Sequence, residues 1–164
     1  MSLFNTFTKE NILSGALVYA LGEVVAMLIL GKFIWLKILG MLIVGGTLYA
    51  LEIPAYFAWI SRKTAQIDGL RGQLFRALLS WLFFNPLWIA RHMALGLIFS
   101  GAWAGVSWGL FSSASSAFLW SAPVSLSGNF VIQNFVPMQR RFLASGIFSG
   151  LHAVYYALSA VWFA

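Results

Sequence analysis

The chain has 164 residues, of which 61% are hydrophobic and 9% charged, against roughly 25% charged in an ordinary soluble domain. That leaves too few polar side chains to cover a soluble surface, which excludes a soluble globular enzyme. A disordered segment is excluded as well, since it needs low hydrophobicity and high charge. With no cysteine, disulfides, thiolate metal sites and cysteine nucleophiles are also excluded.

The charges are clustered, and the gaps between them mark the elements. Residues 11–31 carry only Glu23, residues 38–61 only Glu52, residues 77–139 only Arg91, and residues 142–164 none. A membrane-spanning helix needs about 20 mainly apolar residues. The sequence therefore predicts helices near 11–31, 36–61, 75–100 (with an extension to about 111 left open), 117–138 and 142–163. These segments are apolar on every face, whereas a β-barrel alternates apolar and polar residues. The expected fold is an all-α polytopic transmembrane helix bundle of about five spans, with four to six possible, in a single integral membrane domain over 1–164. The first apolar segment has Glu23 in its middle and no basic cluster before it, so it is expected to be a retained span.

Five spans put Lys9, Arg62, Lys63, Arg71, Arg76, Arg140 and Arg141 on one side and Lys32 and Lys37 on the other. Six spans would move Arg91 and His92 into a loop and erase that asymmetry. Lys/Arg bias marks the cytoplasmic side, so the N-terminus is expected on the cytoplasmic or matrix side. This count assumes helix breaks at Ser112–Ser116 and near Pro137. The expected location is a bacterial inner membrane or an organelle membrane. Trp35, Tyr56, Phe57, Trp59 and Trp162 fall near the segment ends, where an interfacial aromatic belt lies. The net charge of +6 fits loops facing anionic lipid, and no nucleic-acid partner is expected.

Glu23, Glu52, Arg91 and His92 stand at membrane depth, where ionisable groups face a bundle interior or a cavity. They fit two roles, a structural ion pair of Arg91 with Glu23 or Glu52, or a polar path for solute. Gly15, Tyr19 and Glu23 share one helix face, as do Gly45, Tyr49, Glu52 and Tyr56. Two such stripes can line a passage or form a packed seam. Gly101, Gly105 and Gly109, and Gly146 and Gly150, have the four-residue spacing that lets helices approach closely, within the chain or in a homo-oligomer. Pro54, Pro86, Pro123 and Pro137 each kink or end a helix. Asn85, Gln133 and Asn134 stand beside two of these breaks, to satisfy freed backbone groups or to bind solute. His92 and His152 are formally able to ligate a haem, but lone histidines are usually structural, and no cofactor or metal is expected. No catalytic constellation is present: the sole aspartate, Asp68, lies in the polar loop 61–76.

Leu119-Trp120, Val124, Asn129-Phe130, Val136-Pro137, Arg141 and Tyr155 resemble the signature of the 22-kilodalton peroxisomal membrane protein family. That pattern runs Trp-Pro, Asn-Phe, Val-Pro, an Arg four residues on, and a last helix ending near Tyr-Leu-Ser. Here Trp120-Ser121 replaces Trp-Pro, extra residues separate Asn129 from Pro137, and Tyr156-Ala157-Leu158-Ser159 stands at the end. Gly22-Glu23, Arg76, Pro86 and Gly101 extend the similarity upstream. The resemblance implies a small, basic, channel-like protein of peroxisomal or inner mitochondrial membranes. Phe84-Asn85-Pro86-Leu87-Trp88 and Arg140-Arg141-Phe142 are similar to motifs of the bacterial alanine-exporter family, which has no span matching 142–163. Both resemblances imply passage of small solutes, as a channel or exporter, through a path of Glu23, Glu52, Asn85, Arg91 and His92. The alternative is a non-catalytic helical subunit docked on a membrane-complex partner through its glycine runs, with a haem protein a third possibility.

Overall fold

The computed structural model describes residues 6–162, with side chains up to His152. The described residues form seven α-helices and no strand: α1 Lys9–Leu30, α2 Trp35–Val44, α3 Ala50–Lys63, α4 Gly69–Phe83, α5 Pro86–Phe99, α6 Gly109–Phe135 and α7 Met138–Trp162. The expected all-α class holds, but among the described residues two helices, or three if one bent pair counts as a span, are long and apolar enough to cross a membrane, against the five expected. α1 is long and apolar enough to cross a membrane, and so is the continuous helix formed by α2, a π-helical turn at Gly45–Tyr49, and α3. The pair α4 and α5 meets the same test as one element, bent by 41°. At 1.5 Å per residue the 22 residues of α1 reach about 33 Å, enough for a hydrocarbon core of about 30 Å.

The helix ends follow local chemistry. Thr8 caps α1 by accepting the Asn11 N–H at 3.2 Å, and Gly31 closes it at φ 64°, a left-handed conformation that costs glycine nothing. Asn85 caps α5. Its Oδ1 accepts the N–H groups of Leu87 at 2.9 Å and Trp88 at 3.1 Å, while Pro86 holds the first helical position, where its missing N–H is not needed. Asn85-Pro86 thus breaks the expected 75–100 helix into two.

Two expectations are corrected here. The break placed at Ser112–Ser116 lies instead at Ser100–Trp108, and α6 runs straight through the serines. Serine does not end an apolar helix if its hydroxyl turns back to the carbonyl four residues earlier, as Ser115 does to Phe111 at 2.7 Å. Pro123 likewise sits inside α6 without ending it. The second correction concerns Gly101, Gly105 and Gly109. They form no helix-packing stripe: Gly101 is in a turn at φ 73°, Gly105 ends a short 3-10 turn, and Gly109 begins α6.

The chain divides into two compact units, one of residues 1–54 and 142–164, the other of residues 55–141. In the first unit α1 packs on α2 and on the π-helical turn. Gly15 and Gly45 touch backbone to backbone, each occupying the space a Cβ on the other would need. Gly146 of α7 meets a side chain of α1 instead, since a Cβ there would lie 2.7 Å from Cγ1 of Val18. In the second unit α6 is the centre, flanked by α4 and α5. Trp81 of α4 stacks on Phe118 of α6 with centroids 4.2 Å apart.

Candidate functional site

The first unit resolves the two polar stripes into a packed seam. Tyr19 and Tyr49 are buried and their rings meet at 4.7 Å, one helical turn beyond the Gly15–Gly45 contact. Backbones this close leave no passage at that level. Glu23, a turn further on, is held by Lys37 at 2.6 Å. Its partner is therefore the lysine of the neighbouring helix rather than Arg91. Glu52 is half-buried in the first turn of α3.

In the second unit Arg91 and His92 converge on one aromatic ring. The guanidinium carbon of Arg91 lies 5.7 Å from the centre of Trp88, within range of a cation–π contact, and His92 stacks on the same ring at 5.7 Å. Asn85 has its oxygen committed to the start of α5, the backbone role expected of an amide beside a proline. His152, in the first unit, turns Nδ1 to the Phe148 carbonyl of its own helix at 3.2 Å.

The most developed polar arrangement lies elsewhere, between α4 and α6. Ser80, Asn129 and Gln133 are all buried. Ser80 Oγ donates to Asn129 Oδ1 at 2.6 Å and accepts from Gln133 Nε2 at 3.2 Å. Gln133 Oε1 in turn accepts from Arg141 Nη1 at 3.3 Å, and the same nitrogen donates to Ser61 Oγ at 3.0 Å. Arg141 Nε donates to the Val136 carbonyl at 2.9 Å. One residue along α6, Asn134 accepts from Arg76 Nε at 2.8 Å and donates to the carbonyls of Phe130 at 2.8 Å and Gln73 at 3.2 Å. A continuous line of polar groups thus runs from Asn129 through Ser80 and Gln133 to Arg141 and Ser61. Buried polar groups must be bonded or they cost stability, which explains the pairing of serine hydroxyls with amides here.

The arrangement holds two guanidinium groups, and neither meets a carboxylate among the described residues. Arg141 stands in the first turn of α7, just before the uncharged stretch that begins at Phe142. Burial, and secondarily the charge of Arg76, push it below the usual arginine range. Close by, the indole N–H of Trp81 is buried and meets no acceptor among the described residues. The opposite face of α4 is different in kind: Ile67, Leu70, Arg71, Leu74, Phe75 and Leu78 line an open apolar groove of about 520 Å³.

Sequence reasoning placed Gln133 and Asn134 at a helix break but did not see the network. The available signal was Asn129 and Gln133, two amides four residues apart on one face of an otherwise apolar helix. Comparison with protein families, with curated proteins and with solved structures finds no match for this chain.

Proposed function

We propose that the chain is an integral membrane protein of about five spans that passes small polar solutes, as a channel or exporter. The spans are α1, the helix α2–α3, the bent pair α4–α5, α6 and α7. The observation that carries the reading is the line of hydrogen-bonded side chains from Asn129 to Ser61, buried at Ser80, Asn129 and Gln133 and half-buried at Arg141 and Ser61. Interhelical hydrogen bonds of this kind also help to hold helices together in lipid, so the line serves packing as well as any path. Polar groups inside spans mark solute or ion pathways. The charge distribution supports the topology: the connection Ser100–Trp108 bears no charge, while Arg62, Lys63, Arg71, Arg140 and Arg141 fall at the opposite ends of their helices. Asn129, Arg141 and Arg76, which carry the resemblance to the 22-kilodalton peroxisomal membrane protein family, all lie in the polar cluster.

In this reading the path runs through the second unit, beside α4, α5 and α6. Ser80, Asn129, Gln133 and the Trp81 N–H line it, with Arg91 and His92 on α5 as candidates for its other wall. Glu23 and Asn85 hold structure, through Lys37 and the start of α5. Reconstituted liposomes loaded with a panel of amino acids, sugars and inorganic ions provide the test. Flux of at least one solute class that falls in Gln133→Leu protein, at unchanged folded yield, is the expected result. Absence of flux for every class refutes it.

The second reading is a non-catalytic subunit of a larger membrane complex. It is favoured by the exposed Leu119, Trp120 and Val124 on α6, with Trp120 85% exposed. Purification in mild detergent separates the two, because a subunit co-purifies with a stable chain of different sequence.

A further inference from the structure

We propose that Arg76 and Arg141 together hold a phosphate-type oxyanion at the basic end of α4 and α6. Each guanidinium has five N–H donors in a fixed fork. Arg76 uses only Nε, on Asn134, and Arg141 uses Nε and Nη1. The terminal nitrogens of Arg76 and the second terminal nitrogen of Arg141 meet no acceptor among the described residues.

Three features distinguish this from scattered surface charge. First, both arginines are half-buried and fixed by amide oxygens of adjacent residues, Gln133 and Asn134, which are themselves fixed by Ser80 and by the Gln73 and Phe130 carbonyls. A side chain held this way has already lost its rotamer freedom, so little more is lost on binding. Second, the two guanidinium groups are held by consecutive residues of α6, Arg141 by Gln133 and Arg76 by Asn134, and no carboxylate among the described residues neutralises either. Like charges brought together in a partly desolvated place require a counter-charge. Third, every fixed partner is a neutral oxygen, so the frame orients the forks without competing for them. Planar forks matched to an oxyanion give short, charge-assisted bonds. The ligand is a singly or doubly charged phosphate, from an anionic phospholipid headgroup or from a free solute. The inference stands apart from solute passage, because binding is measured without flux.

The test uses the full chain, delipidated in neutral detergent and titrated separately with phosphatidylglycerol, phosphatidylcholine and inorganic phosphate. Bound ligand is counted by native mass spectrometry and melting is followed in parallel. Retention of phosphatidylglycerol over phosphatidylcholine identifies a headgroup site, and retention of inorganic phosphate identifies a free-anion site. Arg76→Gln with Arg141→Gln is expected to weaken retention about tenfold or more, while Arg140→Gln, at an exposed neighbour, leaves it unchanged. Where the double glutamine variant does not fold, Arg76→Lys with Arg141→Lys keeps the charge but not the fork, and a several-fold loss is expected. No retention of either anion by the natural chain overturns the proposal. Equal weakening by Arg140→Gln, or undiminished retention by the double lysine variant, also overturns it, since either points to diffuse charge.

Discussion

Gly45→Ala is the sharpest test of the seam in the first unit. Gly45 has ordinary right-handed helical backbone, φ −62° and ψ −45°, so alanine meets no conformational penalty and gains about 1 kcal/mol of helix preference. Space is the obstacle. The new Cβ would overlap the Gly15 carbonyl oxygen and stand 2.9 Å from its carbon and 3.0 Å from the Tyr19 Cβ. These are backbone and near-backbone atoms, which cannot swing aside, so the overpacking cost falls at the top of the usual range of about 1–3 kcal/mol. The net expectation is a loss of about 2 kcal/mol, roughly thirtyfold in the folded-to-unfolded ratio. Gly150→Ala is the internal control. A Cβ there meets nothing within 4 Å among the described residues, so the same substitution is expected to be neutral or to stabilise by up to about 1 kcal/mol. Unfolding of both variants by a sodium dodecyl sulfate titration in mixed micelles gives the two numbers directly. Equal stability of the two variants refutes the seam.

Two other outcomes are expected. Ser80→Ala removes the donor to Asn129 and the acceptor of Gln133, both buried, and costs about 2 kcal/mol in the same titration, whereas Ser115→Ala, whose hydroxyl bonds only its own helix on an exposed face, stays within about 0.5 kcal/mol of the natural chain. Because the chain has no cysteine, single cysteines report topology without background: in sealed vesicles of fixed orientation a membrane-impermeant maleimide should label Ser107→Cys from one side and Gln66→Cys and Gln139→Cys from the other, and labelling of all three from one side removes the five-span topology.

Sequence alone located the elements that charge and proline mark. Glu10 and Lys32 bracket the first apolar helix segment, Lys37 and Arg62 the second, while Asn85-Pro86 marks the bend and Pro137 the turn into α7. It failed where neither marks a boundary. Ser100–Trp108 is apolar and free of proline, and its glycines recur at four-residue spacing, a pattern that also suits a tightly packed helix. The difference lies in Gly101, whose positive φ is a tertiary outcome that spacing does not encode. The serine run misled in the opposite sense, since Ser112–Ser116 has the composition of a loop but lies within α6, where Ser115 turns its hydroxyl back to the Phe111 carbonyl. The polar cluster was missed because its members are spread over α3, α4, α6 and the start of α7. Ser61, Ser80 and Gln133 are individually unremarkable, and only folding brings them to one line.

The two units solve the same physical problem by different means, and that difference bears on function. Helices surrounded by lipid gain little from burying apolar side chains against one another, so their association rests on close packing and on interhelical hydrogen bonds. The first unit uses packing. Gly15 and Gly45 bring backbones into contact, Gly146 makes room for the Val18 side chain, and Glu23 is closed off by Lys37. A seam of that kind has no room for a third party, and its groups have nothing left to exchange. The second unit uses hydrogen bonds. Ser80, Asn129, Gln133 and Arg141 are joined through hydroxyls and amides, which exchange one partner for another at small net cost because each bond is worth only about 1 kcal/mol against its replacement. A polar solute entering that line replaces bonds rather than breaking them, which is the condition for passing through a bundle without destroying it. Function is therefore expected to reside with α4, α5 and α6, and substitutions in the glycine seam should act on flux only through the amount of folded protein.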